Sequence, residues 1–235
     1  MIRKSFLILP KVSYKKDELI KKQISNWNEF LQKDKIKGIS SKNKLIYDKI
    51  LLEAKKQLSL DNSSYFLGKL KQKDNYLLYD YFRDSVIFLD VEADYRKQIY
   101  LIGIYDGFDI KFLVKNKNLY RDILKQILNS FKLIVTFNGS SYDLPLIEKQ
   151  FKININIPHI DLKHFCNKND LTGTLKEIET KLKIKRPKHL KGSPVDLWKT
   201  MHASCDEEYF KLLLNYNEED VINLKFILEK IMKKV

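Results

Sequence analysis

Cysteine is almost absent: Cys166 and Cys205 stand alone, in no C-x-x-C spacing. That supports neither a disulfide framework nor a zinc site. The four histidines (His159, His164, His189 and His202) never fall at metal-ligand spacing, which leaves them ordinary core or surface roles. Glycine is scarce too, at seven. No G-x-x-x-x-G-K-[ST] run is present and no G-x-G-x-x-G follows a strand, which argues against a P-loop or Rossmann enzyme. No apolar run approaches the roughly 18 residues of a membrane span. The opening "MIRKSFLILP" is basic, but its apolar run is short and stops at Pro and Lys, a poor secretory signal. A cytoplasmic protein is expected. Internal repeats and low-complexity linkers are missing as well.

Positive charge is abundant. Forty-four Lys and Arg against thirty Asp and Glu leave +14, which favours a polyanionic partner, most simply nucleic acid. Lys-, Ile- and Asn-rich chains also arise from AT-rich coding, so charge alone does not decide function. About +9 of the +14 falls within residues 1–80, an asymmetry typical of a binding appendage. With 235 residues there is room for one large domain or a domain with an appendage. The expected division is a basic helical N-terminal extension over 1–80 and a second domain over 81–235. Both "KKDELIKKQISNWNEFLQ" and "SSKNKLIYDKILLEAKKQL" show helical spacing, with Ser40 or Ser41 placed to cap the latter. The aromatic "YLLYDYF" reads as packing rather than base stacking.

From Ser85 the pattern becomes α/β. "SVIFLDVEA", "QIYLIGIYDG" and "FDIKFLV" read as strands joined by tight turns, hence antiparallel neighbours. "NLYRDILKQILNSF" reads as an amphipathic helix with Asn118 near its start, "KLIVTFNG" as a buried strand, "SYDLPLIEKQF" as a short helix and "PHIDL" as another strand. This order predicts a mixed β-sheet flanked by helices, an order similar to the RNase H-like fold.

Three places set carboxylates where a core should be. In "VIFLDVEAD", Asp90 and Glu92 share a strand face with Val86 and Phe88, where two adjacent acids repel each other and resist burial. In "FNGSSYDLPLI", Asp143 follows a buried strand; a plain reading is an Asn138–Gly139 turn with Ser141 or Asp143 capping the helix. In "LLLNYNEEDVINLKFILEKI", Leu213, Tyr216, Leu224, Ile227, Leu228 and Ile231 form one helical stripe that includes Asp220, one turn from Tyr216. Glu219 falls on a row with Asn215 and Asn223 that reads as solvated. Four carboxylates gathered together require neutralising cations, and hard oxygen ligands point to Mg²⁺ or Mn²⁺. Two such ions roughly 4 Å apart suit in-line displacement at phosphorus.

These segments resemble a known family. "FLDVEAD" looks like the first motif (D-x-E) of the DEDD, or DnaQ-like, exonucleases. "FNGSSYDLPLI" resembles the second, N-x-x-x-[FY]-D, and "YNEED" the third in its tyrosine form, Y-x-x-x-D. The arrangement is most similar to family B DNA polymerase proofreading domains and to the stand-alone YprB-like exonucleases, over about residues 83–233. The resemblance implies that Asp90, Glu92, Asp143 and Asp220 hold two Mg²⁺ or Mn²⁺ ions and that Tyr216 orients the attacking water. Asn138 and Tyr142 would lie beside the substrate strand. Ala93 stands where the family usually has a substrate-contacting Thr, and Asp94 follows it. Asp161 resembles a recurring family Asp. The expected function is a metal-dependent 3′–5′ exonuclease acting on single-stranded DNA or RNA ends. The rivals are a non-catalytic nucleic-acid-binding or complex-assembly protein on the same fold, and a structure-selective endonuclease.

Overall fold

A computed structural model of the chain describes residues 1–187 and 193–233; His189 lies outside the described residues. The chain divides into two compact units. One comprises Met1–Arg83 with the short segment Asn156–Pro158, and the other comprises Asp84–Ile155 with the chain from His159 onward.

The first unit carries α1 (Tyr14–Lys21), α2 (Trp27–Gln32), α3 (Ser41–Ser59) and α4 (Tyr79–Phe82), with 3-10 turns between them. The first helical stretch of the sequence is thus two helices. Asn26 breaks it, because its side chain accepts from the amides of Asn28 (2.9 Å) and Glu29 (3.1 Å) and so starts a new helix. Glu29 reaches back to the Ser25 amide at 2.8 Å, which completes the cap. At α3, Ser40 is the capping residue, bonding the Asn43 amide. The core gathers aromatics: Phe6 and Phe30 have ring centroids 5.3 Å apart, and buried Trp27 donates its indole N–H to the Ser5 carbonyl at 2.7 Å. From "YLLYDYF", Tyr76, Leu77, Leu78 and Phe82 are buried.

The second unit is built on a five-stranded sheet with order β3-β2-β1-β4-β5. Its strands are β1 (Val86–Ala93), β2 (Ile99–Tyr105), β3 (Ile110–Val114), β4 (Leu133–Thr136) and β5 (His159–Asp161). The first three pair antiparallel, while β4 runs parallel to β1 and β5 parallel to β4. Helices α5 (Arg121–Ser130), α6 (Asp143–Phe151), α7 (Leu162–Lys168), α8 (Leu175–Lys181), α9 (Pro194–Ser204) and α10 (Glu207–Met232) complete it. Asn118 does not cap α5, whose N-cap is Tyr120 without a side-chain bond. Instead Asn118 bonds the backbone of Val114 and Phe112, pinning the chain beyond β3.

Strand β1 is buried from Val86 to Leu89 because it lies between two neighbours and is covered by helix. Its pairing with β4 stops at Phe88, whereas its pairing with β2 continues to a bulge at Glu92/Ala93. Asp90 and Glu92 therefore project beyond the carboxyl end of β4, the edge where open α/β sheets bind ligands. Helix α10 crosses this region very closely. An added Cβ at Gly103, the partner of Asp90 on β2, would stand 1.7 Å from Asn217 Oδ1. Glycine is required there for α10 to approach. No helix among the described residues is long and apolar enough to cross a membrane, and both cysteines are free thiols.

Candidate metal centre

Asp90, Glu92 and Asp220 each offer a carboxylate oxygen, and the three oxygens lie within 4.8 Å of one another. Strand β1 supplies two on one face and α10 the third, one turn beyond Tyr216. The helical phase read from the sequence holds at Asp220, which is buried at 7% exposure. It fails at its neighbours. Asn223 is buried and donates to Glu179 at 3.0 Å, so the row through Glu219 is solvated at exposed Asn215 but not at Asn223. Glu219 is half-buried and its carboxyl is raised, first by burial and further by the charge of Glu179, against the opposing charge of Arg186.

Asp143 stands outside that triangle. It is the first residue of α6, and neither it nor Ser141 caps the helix; the N-cap is Tyr142, with no side-chain bond. Asp143 Oδ1 accepts from the Val91 amide at 3.0 Å. β4 has ended by this point, so that amide lacks a strand partner, and an unpaired buried N–H must find another acceptor. The sheet geometry thus draws Asp143 to the rim of the site, where its charge still acts on Asp90 and Glu92.

Electrostatic strain is concentrated here. Burial raises the Asp90 carboxyl well above the usual range, and Glu92, Asp220 and Asp143 add to the shift. Glu92 is pushed up to about 8 by burial and by Asp220 and Asp143, against an opposing hydrogen bond from Asn217. Burial lifts Asp143 to about 7, opposed by backbone N–H donors including that of Val91. Asp220 is lifted to about 6 by burial, with Arg186 holding it down. Each of these groups disfavours its charged form in this setting, and a divalent cation reverses that preference.

The supporting residues were not legible in the sequence. Asn217 donates to Asp90 Oδ2 at 2.7 Å. Arg186 donates to Asp220 and forks onto buried Glu179 at 2.5 and 2.8 Å. The Tyr216 ring, buried in α10, is faced by Lys176 Nζ at 4.8 Å and Arg186 Cζ at 5.5 Å. Tyr100 stacks on Trp198 at 4.4 Å and turns its hydroxyl into the field of Glu92 and Asp90. Among the described residues the buried side-chain atoms without a hydrogen-bond partner are Tyr100 Oη, Arg186 Nη1 and Asn217 Oδ1, all on residues bordering the carboxylates. Native interiors leave few such atoms unsatisfied, and a bound ion with its water shell is one of the standard reasons. Three hard oxygen donors, repelling one another and bordered by unpartnered polar atoms, fit a divalent cation.

The turn before α6 is held by Asp161. Its carboxylate accepts from the amides of Asn138 (2.8 Å), Ser140 (3.1 Å) and Lys163 (3.0 Å), and from the Ser140 hydroxyl. These donors keep it below the usual carboxylate range, against the cost of burial. Asn138 takes a φ of +65°, a conformation asparagine tolerates. Tyr142 is 39% exposed beside the carboxylates, and Ala93 is buried at the β1 bulge. His159 is buried against the Thr136 hydroxyl at 2.9 Å, and burial lowers its pKa to about 4.

No curated protein matches this chain. A solved structure that resembles it is the family B DNA polymerase from the hyperthermophilic archaeon Pyrobaculum calidifontis, with 13% sequence identity and a TM-score of 0.47. That similarity covers 63% of this chain and 24% of the polymerase, so the chain spans about a quarter of the polymerase's length. Residues 87–232 match the family described as the RNase_H superfamily. That span runs from β1 into the end of α10 and contains all three clustered carboxylates together with the mixed sheet that presents them; on this match, the chain belongs to the RNase_H superfamily.

Proposed function

We propose that the chain is a metal-dependent 3′–5′ exonuclease that hydrolyses phosphodiester bonds at single-stranded DNA or RNA ends. The observation that carries this reading is the triangle of Asp90, Glu92 and Asp220, with oxygens within 4.8 Å and strongly displaced carboxyl groups. These residues and Asp143 would hold two divalent ions, which would supply the charge neutralisation and water activation that in-line displacement at phosphorus needs. The chain's own part is positional. Asn217 fixes the orientation of Asp90, and Val91 does the same for Asp143. Tyr216 is held in a packed helix one turn from Asp220, where its hydroxyl orients the attacking water. Asn138 and Tyr142 line the approach of the substrate strand.

One observation favours a second reading, a non-catalytic nucleic-acid-binding protein on the same fold. Arg186 already gives Asp220 a cation of the protein's own. An end-labelled degradation assay on single-stranded DNA and RNA, with a circular single strand alongside, separates the readings. Stepwise shortening from the 3′ end that chelator stops supports the proposal. Internal products from the circle indicate an endonuclease, and no turnover with Mg²⁺ or Mn²⁺ indicates the binding protein. Asp90→Asn should lower the hydrolysis rate by orders of magnitude while retaining nucleic-acid binding; a variant that cleaves normally sinks the metal-centre reading.

A further inference from the structure

The turn between β1 and β2 and the exposed flank of α6 enclose a cavity of about 510 Å³ that the carboxylates do not use. Arg96, Lys97 and Gln98 line it from the turn, and Tyr142, Lys149 and Gln150 from the other side. The three cations are exposed, and the described residues provide no carboxylate partner for any of them. Cations converging on one concavity without acids between them form a field that attracts a polyanion.

Both walls are fixed in place. Asp94 Oδ1 accepts from the amides of Arg96 and Gln98, each at 2.9 Å, and the Asp94 amide donates to the Gln98 carbonyl at 3.0 Å. Lys97 occupies the left-handed position of this turn, with φ of +61°. Gln150 accepts from the Ile99 amide at 2.9 Å, tying α6 to the start of β2. Asp94 accepts from two backbone donors and so shapes the turn, while its charge still reaches Tyr142 in the groove wall. Tyr142 belongs both to the groove and to the carboxylate site: burial raises its phenol, and the charges of Asp143, Glu92 and Asp94 raise it further.

We infer that this groove binds the sugar–phosphate backbone of the strand leading into the carboxylate site, with Arg96, Lys97 and Lys149 on its phosphates. The inference rests on the nuclease reading for what lies at the groove's end, but its test reads binding alone. In the full chain carrying Asp90→Asn, without divalent ions, single-stranded oligothymidylate and oligouridylate are titrated over a series of salt concentrations. Adding Arg96→Gln, Lys97→Gln and Lys149→Gln together should reduce the slope of log affinity against log salt by about 2, at about 0.7 for each single-strand phosphate no longer neutralised. Removing the same charge at exposed Lys111, Lys125 and Lys211 should leave the slope in place. An unchanged slope in the groove variant, an equal fall in the control, or no measurable binding by the parent overturns the groove. A fall with one polymer only supports it and identifies the backbone as DNA or RNA. A chain that never cleaves can still pass this test, and one that cleaves can still fail it.

Discussion

Asp90 and Glu92 are held as carboxyl groups that resist ionising, and the consequence is measurable without substrate. In the folded state Glu92, Asp143 and Asp220 are pushed up to about 8, 7 and 6, all above the range of an unfolded carboxylate near 4. Between those limits the folded chain binds more protons than the unfolded one, so in chelator the stability these groups contribute is present below about pH 4 and is lost as pH rises through about 8. The melting temperature in EDTA should fall across that window. Added Mg²⁺ or Mn²⁺ should raise it most at the alkaline end, because the ion binds the deprotonated form. A flat profile in EDTA would refute the carboxylate strain itself. Arg186 gives a second expectation. Replacing it with Gln leaves Glu179, 1% exposed, as a buried charge without its counter-ion. Breaking such a pair costs about 3–5 kcal/mol. Chemical denaturation should show that loss for Arg186→Gln, and most of it should return when Glu179→Gln is added.

Between elements, the tightest junction is α10 over β2. Gly103→Ala would drive a methyl group into the Asn217 amide, 1.7 Å from Oδ1 and 2.9 Å from Cγ. Overpacking of this kind costs about 1–3 kcal/mol, and urea unfolding should register it. Adding Asn217→Ala should restore most of the stability but not hydrolysis, since Asp90 then loses its 2.7 Å donor. This junction also marks where sequence reading ends. Strands β1 to β4 and helices α5 and α6 were legible from their apolar patterning with turn chemistry at the ends, and β5, His-Ile-Asp, was read without such a run. So was Asp220, whose position in the α10 stripe decided its orientation. Helices α7, α8 and α9 went unread: two are only seven residues long. The Thr174–Glu177 capping box of α8 was an available signal. The Glu179–Arg186–Asp220–Asn223 network had none, since its partners sit up to 44 residues apart and no periodicity links them. Asp143 was legible as an acid at the end of a strand, but its bond to Val91 depends on where β4 stops, a matter of register that sequence does not reveal.

For the whole molecule, the question is what the excess charge of residues 1–80 does. Lys15, Lys16, Lys21 and Lys22 look equivalent in sequence, but the fold separates them. Lys21 pairs at 2.5 Å with Asp17, a buried acid that also accepts from the Phe6 amide, and Lys16 lies 5.7 Å from the Tyr47 ring centroid. Those two lysines are engaged within the first unit. Lys15 and Lys22 are exposed, and the described residues hold no carboxylate partner for either. If the extension binds the substrate backbone, Lys15→Gln with Lys22→Gln should lower the salt slope of single-strand binding by about 1.4, at about 0.7 per phosphate, with the melting temperature unchanged. Lys16→Gln with Lys21→Gln should act the other way, lowering stability by leaving the buried Asp17 charge unbalanced while moving the slope little. Binding titrations of both pairs in the Asp90→Asn chain, run beside thermal melts, distinguish a binding appendage from a solvated packing unit. A slope that ignores Lys15 and Lys22 means that these two exposed lysines of α1 do not hold the substrate backbone.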